Sequence, residues 1–168
     1  TTFSVDGKRV LTGSRDRAMK LINAANAQFI DDVNKLLENV MCIWRHPKED
    51  IIAYGGDQGG VRAYRMQENQ GRTAANNDVN LVREFERQPA AVHAVCYTPD
   101  AALLAVGGAA DEIRVYKTAD GARAFTFKGF TGATFAMSPH PTKKLLAAGG
   151  FEGKIHIYDL EKGAETNS

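Results

Sequence analysis

Side chains able to do catalytic or metal chemistry are sparse in this chain and show no converging pattern. Its 168 residues include four histidines, two cysteines and 20 acidic residues, the types that act as nucleophiles, general bases or metal ligands where they converge. Cys42 and Cys96 form no CxxC pair, and neither has a histidine at the spacing of zinc ligands. No histidine has a Ser or carboxylate beside it in an arrangement typical of nucleophilic catalysis. We therefore expect no catalytic residue, no metal site and two buried free thiols.

The best candidate for a phosphate-binding loop is the glycine-rich segment 55–60, which reads GGDQGG. Loops that cradle phosphate lead into a helix, whose N-terminus supplies free backbone N–H groups and a favourable dipole. Both flanks of this segment read as β-strands instead, so we interpret it as a turn. The haem-attachment pattern CxxCH is absent from the sequence. No cofactor is predicted.

The overall charge and the apolar runs limit the classes of partner. The chain has 21 basic and 20 acidic residues, a net charge of +1 at pH 7, and this balance does not favour binding along nucleic acid. The longest apolar run, residues 101–110, is interrupted by two glycines and is far shorter than the roughly 20 residues of a membrane-spanning helix. We expect neither nucleic-acid binding nor membrane insertion. The sequence does not indicate a cellular compartment.

Four segments of the sequence align with one another without a gap and indicate a repeat protein. They begin at Val5, Pro47, Pro99 and Pro141, so successive starts are 42, 52 and 42 residues apart. A glycine lies eight residues into each segment, and a large apolar residue follows nine residues later. Because this register holds over 18 positions in all four segments, the repeat is the organising feature of the chain.

Each repeat reads as a series of short β-strands. An apolar run is followed by a glycine-rich or acidic turn and then by a strictly alternating strand, as in residues 113–116 and 155–158. Further strands flank this pair, and four strands in about 42 residues is typical of a propeller blade. Since alternate side chains point to opposite faces, we expect Arg114 and His156 to point away from a blade interface that buries the apolar residues. They should tolerate substitution unless the next blade covers their face as well. Those apolar residues are Ile113, Val115, Ile155 and Ile157.

Several segments resemble the motifs of the WD-repeat β-propeller family. Residues 3–7, FSVDG, are similar to the family's FSPDG turn, and residues 11–16, LTGSRD, to its LxTGSxD segment. Tyr158-Asp159 stands where the family has Trp-Asp. The resemblance covers essentially the whole chain, in the degenerate form of bacterial WD-like repeats. No histidine occupies the family's Gly-His position, so its His–Asp–Ser–Trp relay cannot form, and we expect apolar packing to hold the blades together instead.

The resemblance implies an all-β fold, a partial and open propeller of four consecutive four-stranded antiparallel blades. We expect one domain with blades at about residues 1–36, 37–88, 89–130 and 131–168. The last blade is expected to lack its outer strand, because residues 162–168 show no apolar alternation. Since propellers of this family mostly close with about seven blades, we expect a fragment of a longer propeller; a four-bladed ring is the alternative.

In a propeller, the turns between the second and third strands gather on one rim around the central channel. The fold requires only that these turns be tight and does not dictate the types of their variable residues. Those residue types can therefore determine which partner is bound. Phe151 stands where the first repeat has Arg15, and an aromatic residue beside charges is typical of interface hot spots; packing on the neighbouring blade is the alternative. Asp16 is expected to accept hydrogen bonds within its own turn. The candidate partner-binding residues are Arg15, Arg17, Gln58, Glu112 and Phe151.

Residues 67–80, QENQGRTAANNDVN, are the insertion that lengthens the second repeat. The segment is polar throughout and joins the third and fourth strands, on the opposite edge of the blade from the rim. Two interpretations stay open, a solvated insertion and a recognition loop in which Arg72 and the Asn-rich centre donate hydrogen bonds.

Resemblance and composition together predict a non-catalytic interaction platform. The expected partner is another protein or another domain of the parent chain. The alternative is an accessory propeller of a larger bacterial redox protein with a cytochrome-c-like domain, because the segment RTAANNDVNLVREFERQP looks similar to such multi-domain proteins. A propeller enzyme would need carboxylates or histidines converging on the channel mouth from several blades, and the sequence shows no such set, so we predict no enzyme.

Overall fold

The computed structural model describes residues 1–35, 38–71, 73 and 78–167, which form sixteen β-strands in four sheets. Blade 1 contains β1 (Thr2–Phe3), β2 (Arg9–Gly13), β3 (Ala18–Asn23) and β4 (Phe29–Lys35). Blade 2 contains β5 (Val40–Arg45), β6 (Ile51–Gly56), β7 (Val61–Arg65) and β8 (Leu81–Glu84). Blade 3 contains β9 (Val92–Tyr97), β10 (Leu103–Gly108), β11 (Glu112–Lys117) and β12 (Arg123–Lys128). Blade 4 contains β13 (Thr134–Pro139), β14 (Leu145–Gly150), β15 (Ile155–Asp159) and β16 (Ala164–Asn167).

Each sheet is an antiparallel meander, and the four sheets are arranged as consecutive propeller blades. Consecutive strands pair within every sheet. The first strands lie side by side, since β1 contacts β5, β5 contacts β9 and β9 contacts β13. The fourth strands lie at the other end of each sheet, so the first strands are innermost and the fourth outermost. The predicted all-β, partial propeller of four four-stranded blades is confirmed.

Three clusters of buried side chains fill the spaces between neighbouring blades. The first joins blades 1 and 2, the second joins blades 2 and 3, and the third joins blades 3 and 4. Because side chains alternate across a strand, β11 can serve two clusters at once. Tyr116 packs toward blade 2, while Val115 packs toward blade 4. Both faces of an inner blade are therefore apolar. The alternating pattern of its strands does not show which face packs against which neighbouring blade.

The uncovered face of blade 4 makes one packing prediction wrong. Ile113 and Val115 are fully buried against blade 4, as predicted. Ile155, the equivalent of Ile113 on β15, is 67% exposed, because no other blade in the described chain covers that face. Ile157 is half-buried. His156, predicted to point away from the blade interface, is only 5% exposed, since its face of β15 is the one that packs toward blade 3.

Blade 4 has an outer strand, so the prediction that this strand is absent is wrong. β16 pairs antiparallel with β15, with Tyr158 opposite Glu165. The turn that leads into β16 is fixed locally, because Gly163 has a φ of 67° and donates its N–H to the Asp159 carbonyl oxygen at 2.9 Å. A polar edge strand of this kind is specified by its turn and its backbone hydrogen bonds rather than by apolar alternation.

Close packing between blades requires a glycine near the end of the second strand. A Cβ added at Gly55 would lie 2.3 Å from Cγ1 of Val92, in the first strand of blade 3. The equivalent Gly149 of blade 4 has no such neighbour, and its added Cβ would come no closer than 3.5 Å, to the Lys154 carbonyl oxygen. The repeated glycine therefore marks the place where one blade approaches the next.

We expect Gly55→Ala to lower the free energy of unfolding by about 1–3 kcal/mol, because the added methyl group overpacks the interface with blade 3. Gly149→Ala is the matched control, and it should change the free energy of unfolding by less than about 0.5 kcal/mol. Urea denaturation followed by the fluorescence of Trp44, the single tryptophan, measures both variants. Equal losses in the two variants would contradict the assigned order of blade packing.

The polar insertion of blade 2 is anchored to blade 1 at both of its ends. The backbone N–H of Asn69 donates to the Asp31 carboxylate at 2.8 Å. Asn80 is fully buried, and its side-chain amide donates to a backbone oxygen of β4 at 3.1 Å. Gln67, Glu68 and Gln70 are nevertheless exposed, whereas Asn80 is buried. The interpretation as a solvated insertion therefore holds for most of the first end and is wrong for Asn80. The centre of the insertion, Arg72 and residues 74–77, lies outside the described residues.

Buried polar contacts supplement the apolar packing where the family's relay is missing. Glu38, which precedes β5, is 3% exposed, and its carboxylate accepts the backbone N–H groups of Gln58 and Gly60 at 3.1 and 3.0 Å. In blade 3, the side-chain amide of Gln88 donates to the Tyr116 hydroxyl at 2.7 Å. The expectation of apolar packing alone is thus incomplete, because blades 2 and 3 each have a buried polar contact of their own.

Candidate interaction surface

The turns between the second and third strands of the four blades lie at one edge of the molecule, which we call the rim. Arg15 and Arg17 belong to the rim turn of blade 1, and both are exposed. Arg17 has a φ of 64°, in the left-handed region, and the equivalent positions of blades 2 and 4 are Gly59 and Gly153, which also have positive φ. Blade 1 therefore places a long cationic side chain on a backbone conformation that favours glycine.

Asp16 holds the same turn together. Its carboxylate accepts the N–H of Ala18 at 3.2 Å and pairs with the ammonium group of Lys20. The hydrogen bond from Lys20, followed by that from Ala18, lowers the pKa of Asp16 despite some desolvation. The predicted role of Asp16 within its own turn is confirmed.

Phe151 lies in the rim turn of blade 4 and is 77% exposed. Its N–H donates to the Ala133 carbonyl oxygen at 2.8 Å, which fixes the backbone against the segment leading into β13. A Cβ added at Gly132 would be 3.1 Å from the Cβ of Phe151, so the aromatic side chain lies over a glycine. Of the two positions considered from the sequence, the side chain has the exposed one, outside the three apolar clusters.

The remaining two rim residues differ from each other. Gln58 is exposed, and its backbone is held by Glu38 and by Arg87, which donates to its carbonyl oxygen. Glu112 is half-buried and accepts a hydrogen bond from Nε of Arg114 at 2.6 Å. Arg114, predicted to point away from packing, keeps only 13% of its side chain exposed. The carboxylate of Glu112 is therefore engaged within the chain, while the side chain of Gln58 projects from a fixed backbone.

Three residues that were not among the predicted partner-binding residues lie on the innermost strands at the rim end: Met41, His93 and Phe135, which we call the bulge row. Each is the extra residue of a β-bulge at the equivalent place of β5, β9 or β13. Met41 is 36% exposed and Phe135 is 55% exposed. The rings of His93 and Phe135 lie 5.6 Å apart between their centroids. The bulge row thus adds an apolar and aromatic strip beside the rim turns.

The alternation of side chains along a strand does not predict the bulge row. A bulge shifts one residue out of the ladder, and that shift depends on the partner strand rather than on the bulged residue itself. Opposite each bulge lies a pair of glycines, Gly55-Gly56, Gly107-Gly108 or Gly149-Gly150. This glycine pair was visible in the sequence and is the one signal that pointed to an irregular ladder.

The cysteines show no sign of reactivity. Both thiols are free, Cys96 is buried and Cys42 is half-buried. Burial raises the pKa of each thiol to about 12, so at neutral pH neither forms the thiolate that attacks electrophiles or binds metals. The interpretation of both as free thiols in the packed interior is confirmed for Cys96 and holds in part for Cys42.

Two properties of the described residues bear on the class of site. No group of three or more His, Cys, Asp or Glu side chains among them is arranged to hold a metal ion. None of them forms a helix that is long and apolar enough to cross a membrane. The rim and the bulge row expose aromatic, aliphatic, amide and guanidinium groups. Such groups are typical of surfaces that recognise other proteins.

Family comparisons place this arrangement in a known class. Residues 43–137, more than half of the chain, match the model described as the anaphase-promoting complex subunit 4 WD40 domain. Residues 121–159 match the model described as WD domain, G-beta repeat. The chain therefore belongs to the WD40-repeat family, whose propellers are in general scaffolds for protein interaction. No match is found among curated proteins.

A solved structure supports the same fold. The chain is similar to a chain of the structure named "Crystal Structure of Mitotic Checkpoint Complex", with a TM-score of 0.80 and 19% sequence identity. The match covers 98% of this chain and 49% of that one, so this chain spans about half the length of the structure it resembles. At this identity the likeness establishes the propeller architecture alone.

Proposed function

We propose that this chain is a non-catalytic interaction scaffold that binds another protein, or another domain of its parent chain, at the rim. The observation that carries the proposal is Phe151, a large aromatic side chain with 77% of its surface exposed on a fixed turn. Burying an exposed aromatic side chain against a partner is energetically favourable, and aromatic and Arg side chains dominate the hot spots of interfaces.

The position of Arg17 supports the same surface. A non-glycine residue in the left-handed region costs about 1–2 kcal/mol relative to the right-handed one, and blades 2 and 4 avoid this cost with Gly59 and Gly153. Arg17 carries an exposed guanidinium at a position where the backbone does not favour it. Backbone strain of this kind tends to occur at functional sites.

The bulge row gives the proposed surface an apolar centre. Met41 and Phe135 project from the innermost strands, while Arg15 and Arg17 project from the turns around them. An apolar centre with a charged and polar margin is the usual anatomy of an interface. Among the rim residues, Glu112 is expected to contribute least, because Arg114 already satisfies its carboxylate.

No observation favours the alternative function, an accessory module of a bacterial redox protein. The family models that match are those of WD40 domains, and they add no haem or redox element to the chain. We therefore keep protein interaction as the single proposed function.

The test is the loss of partner binding in the double variant Phe151→Ala, Arg15→Ala. The wild-type chain is used to capture proteins from an extract of the source cells. The double variant should capture at least about tenfold less of the same proteins, as expected when a hot-spot aromatic residue is truncated. The melting temperature should change little, because both side chains are exposed. Quantitative mass spectrometry of the captured proteins makes the comparison.

The matched control is Phe29→Ala, Arg65→Ala. Phe29 is 59% exposed and Arg65 is exposed, and both lie at the edge opposite the rim. This control should retain the captured proteins. Retention by the rim variant together with loss by the control would place the partner on the opposite edge and refute the rim proposal. Unfolding of the rim variant would show that Phe151 is a packing residue instead.

A further inference from the structure

A cleft of about 360 Å³ lies on the edge opposite the rim, where the turns between first and second strands of blades 3 and 4 face each other. Blade 3 contributes Thr98, Pro99 and Asp100, and blade 4 contributes residues 140–144. Lys48 reaches the cleft from the corresponding turn of blade 2. Three consecutive blades therefore build this cleft, and none of its lining residues belongs to the rim.

The cleft concentrates positive charge. Its lining includes three lysines, Lys48, Lys143 and Lys144, and one acidic residue, Asp100. The carboxylate of Asp100 pairs with Lys144 and accepts a hydrogen bond from the Thr98 hydroxyl at 2.6 Å. With that carboxylate already paired, no other acidic residue of the described lining is left for the ammonium groups of Lys48 and Lys143. The cleft is thus more positive than the whole chain, whose net charge is +1.

Two of the three lysine ammonium groups, those of Lys48 and Lys144, have contacts within the cleft. Lys48 donates from Nζ to the Asp100 carbonyl oxygen at 3.1 Å, which draws its charge toward blade 3. His140 accepts the backbone N–H groups of Thr142 and Lys143 at its Nδ1, at 3.2 and 3.0 Å. These two hydrogen bonds fix the turn that carries Lys143 along the wall of the cleft. The turn backbone and the ammonium groups of Lys48 and Lys144 are therefore placed before any ligand arrives, and Lys143 is fixed at its backbone.

We propose that this cleft binds an extended, acidic segment of a partner protein, whose carboxylates meet Lys48 and Lys143 and whose backbone lies between Pro99 and Pro141. Prolines give the walls a rigid apolar surface that suits an extended chain, and carboxylates complement the ammonium groups of the two lysines. The site is separate from the rim and does not depend on the rim proposal.

The apolar walls, rather than the type of cation, favour a peptide as the ligand of the cleft: Pro99 and Pro141 offer a surface for an extended chain that a free phosphate group would not use. The planar guanidinium of Arg binds two oxygens of a carboxylate or a phosphate group at once, whereas the ammonium group of Lys acts as a point charge. The described lining of the cleft has lysines and no arginine. The near-neutral balance of the chain as a whole also lacks the broad positive surface that nucleic acid or an anionic membrane would require.

The test is fluorescence anisotropy with the full chain and a short fluorescein-labelled peptide of alternating Glu and Gly residues. The peptide should bind, binding should weaken as salt is added because the contacts are solvent-exposed charges, and a peptide with Gln in place of Glu should not bind. Lys48→Glu, Lys143→Glu together should weaken binding about tenfold, since each reversal replaces an attraction with a repulsion. The milder variant Lys143→Gln should weaken it about two- to threefold and guards against a folding defect in the double variant.

Lys154→Glu is the matched control, because Lys154 is exposed in the rim turn of blade 4 and undergoes the same change of charge. It should leave the affinity for the Glu peptide within about twofold, since it lies beyond the range of unscreened contact. The rim variant Phe151→Ala, Arg15→Ala should also retain peptide binding, which separates this proposal from that of the rim. Absence of peptide binding, equal weakening by Lys154→Glu, or stronger binding to inorganic phosphate or to phosphatidylserine vesicles than to the peptide would overturn the proposal.

Discussion

Replacing Ile113 with Ala should lower the free energy of unfolding by about 2–5 kcal/mol, whereas the same replacement at Ile155 should change it by less than about 0.5 kcal/mol. The two residues occupy equivalent positions of β11 and β15, so backbone conformation and side-chain type are matched. Ile113 is fully buried between blades 3 and 4, and Ile155 is 67% exposed. Truncation at Ile113 leaves a cavity that the neighbouring blade fills only in part, and truncation at Ile155 leaves none.

The measurement is urea denaturation of the wild type and the two variants, with the midpoint and the slope fitted separately. A change confined to the midpoint reports the interaction between blades, because the surface exposed on unfolding then stays the same. Equal losses at Ile113 and Ile155 would mean that the outer face of blade 4 is covered in solution. A loss only at Ile155 would reverse the assigned order of packing.

The strands themselves could be predicted from the sequence because their signals are local. Alternation in residues 113–116 and 155–158, together with the acidic or glycine-containing turn before each, defines a strand without reference to its neighbours. The outer strand β16 could not be predicted in this way. Its residues 164–167 are AETN, and their pairing depends on the left-handed turn at Gly163 and on the free edge of β15.

Which face of a strand is covered is a property of the neighbouring blade rather than of the strand. Ile113 and Ile155 read alike in sequence, yet one has blade 4 against it and the other faces solvent. A repeat predicts equivalent positions, but the last repeat in a row has one neighbour fewer. Assigning burial from the pattern alone was therefore correct for blade 3 and wrong for blade 4.

The same division applies to the candidate surface. The register of the repeats predicted that Arg15 and Phe151 occupy equivalent places in rim turns, and the structure has them there. The bulge row was missed because it depends on how a first strand meets the second strand of its own blade. The buried carboxylate of Glu38 was missed because its partners are the backbone N–H groups of the rim turn of blade 2, far along the sequence. Contacts that the ladder creates are not encoded in the spacing of either strand alone.

A charged histidine inside blade 4 should make the protein less stable as the pH rises above 6.5. His156 is 5% exposed, with Nδ1 2.6 Å from the Glu165 carboxylate and Nε2 2.6 Å from the Glu152 carboxylate. Both ring nitrogens can donate only when the ring is protonated. The ring also lies 4.5 Å from that of Phe130, between centroids, where an aromatic face attracts a cation. The surroundings of His156 therefore favour the imidazolium form.

The direction of the pH effect follows from the pKa of His156. Burial by itself lowers this pKa, but the hydrogen bonds and charges of Glu165 and Glu152 outweigh burial and raise the pKa above the ordinary value of 6.5. The folded state then binds the proton more tightly than the unfolded state does. The stabilisation is complete below pH 6.5 and is lost as the pH rises through the folded-state pKa. Burial lowers the pKa of His46, so that residue titrates below this window.

Urea denaturation below pH 6.5 and at mildly alkaline pH measures the effect, and His156→Gln separates it from other titrations. This variant should lower the free energy of unfolding by about 2–3 kcal/mol at the lower pH, because the Glu152 carboxylate, whose side chain is only 10% exposed, loses its charged partner. At the higher pH the same substitution should lower the free energy of unfolding much less. The wild-type ring is then neutral, and one of the two carboxylates already faces the lone pair of its unprotonated nitrogen. Glu165→Gln should shrink the pH dependence without removing it, because Glu152 still favours the proton. A wild-type stability that is flat or rising across this window would show that His156 is neutral, and β16 would then be held to blade 4 by its backbone pairing rather than by a charge.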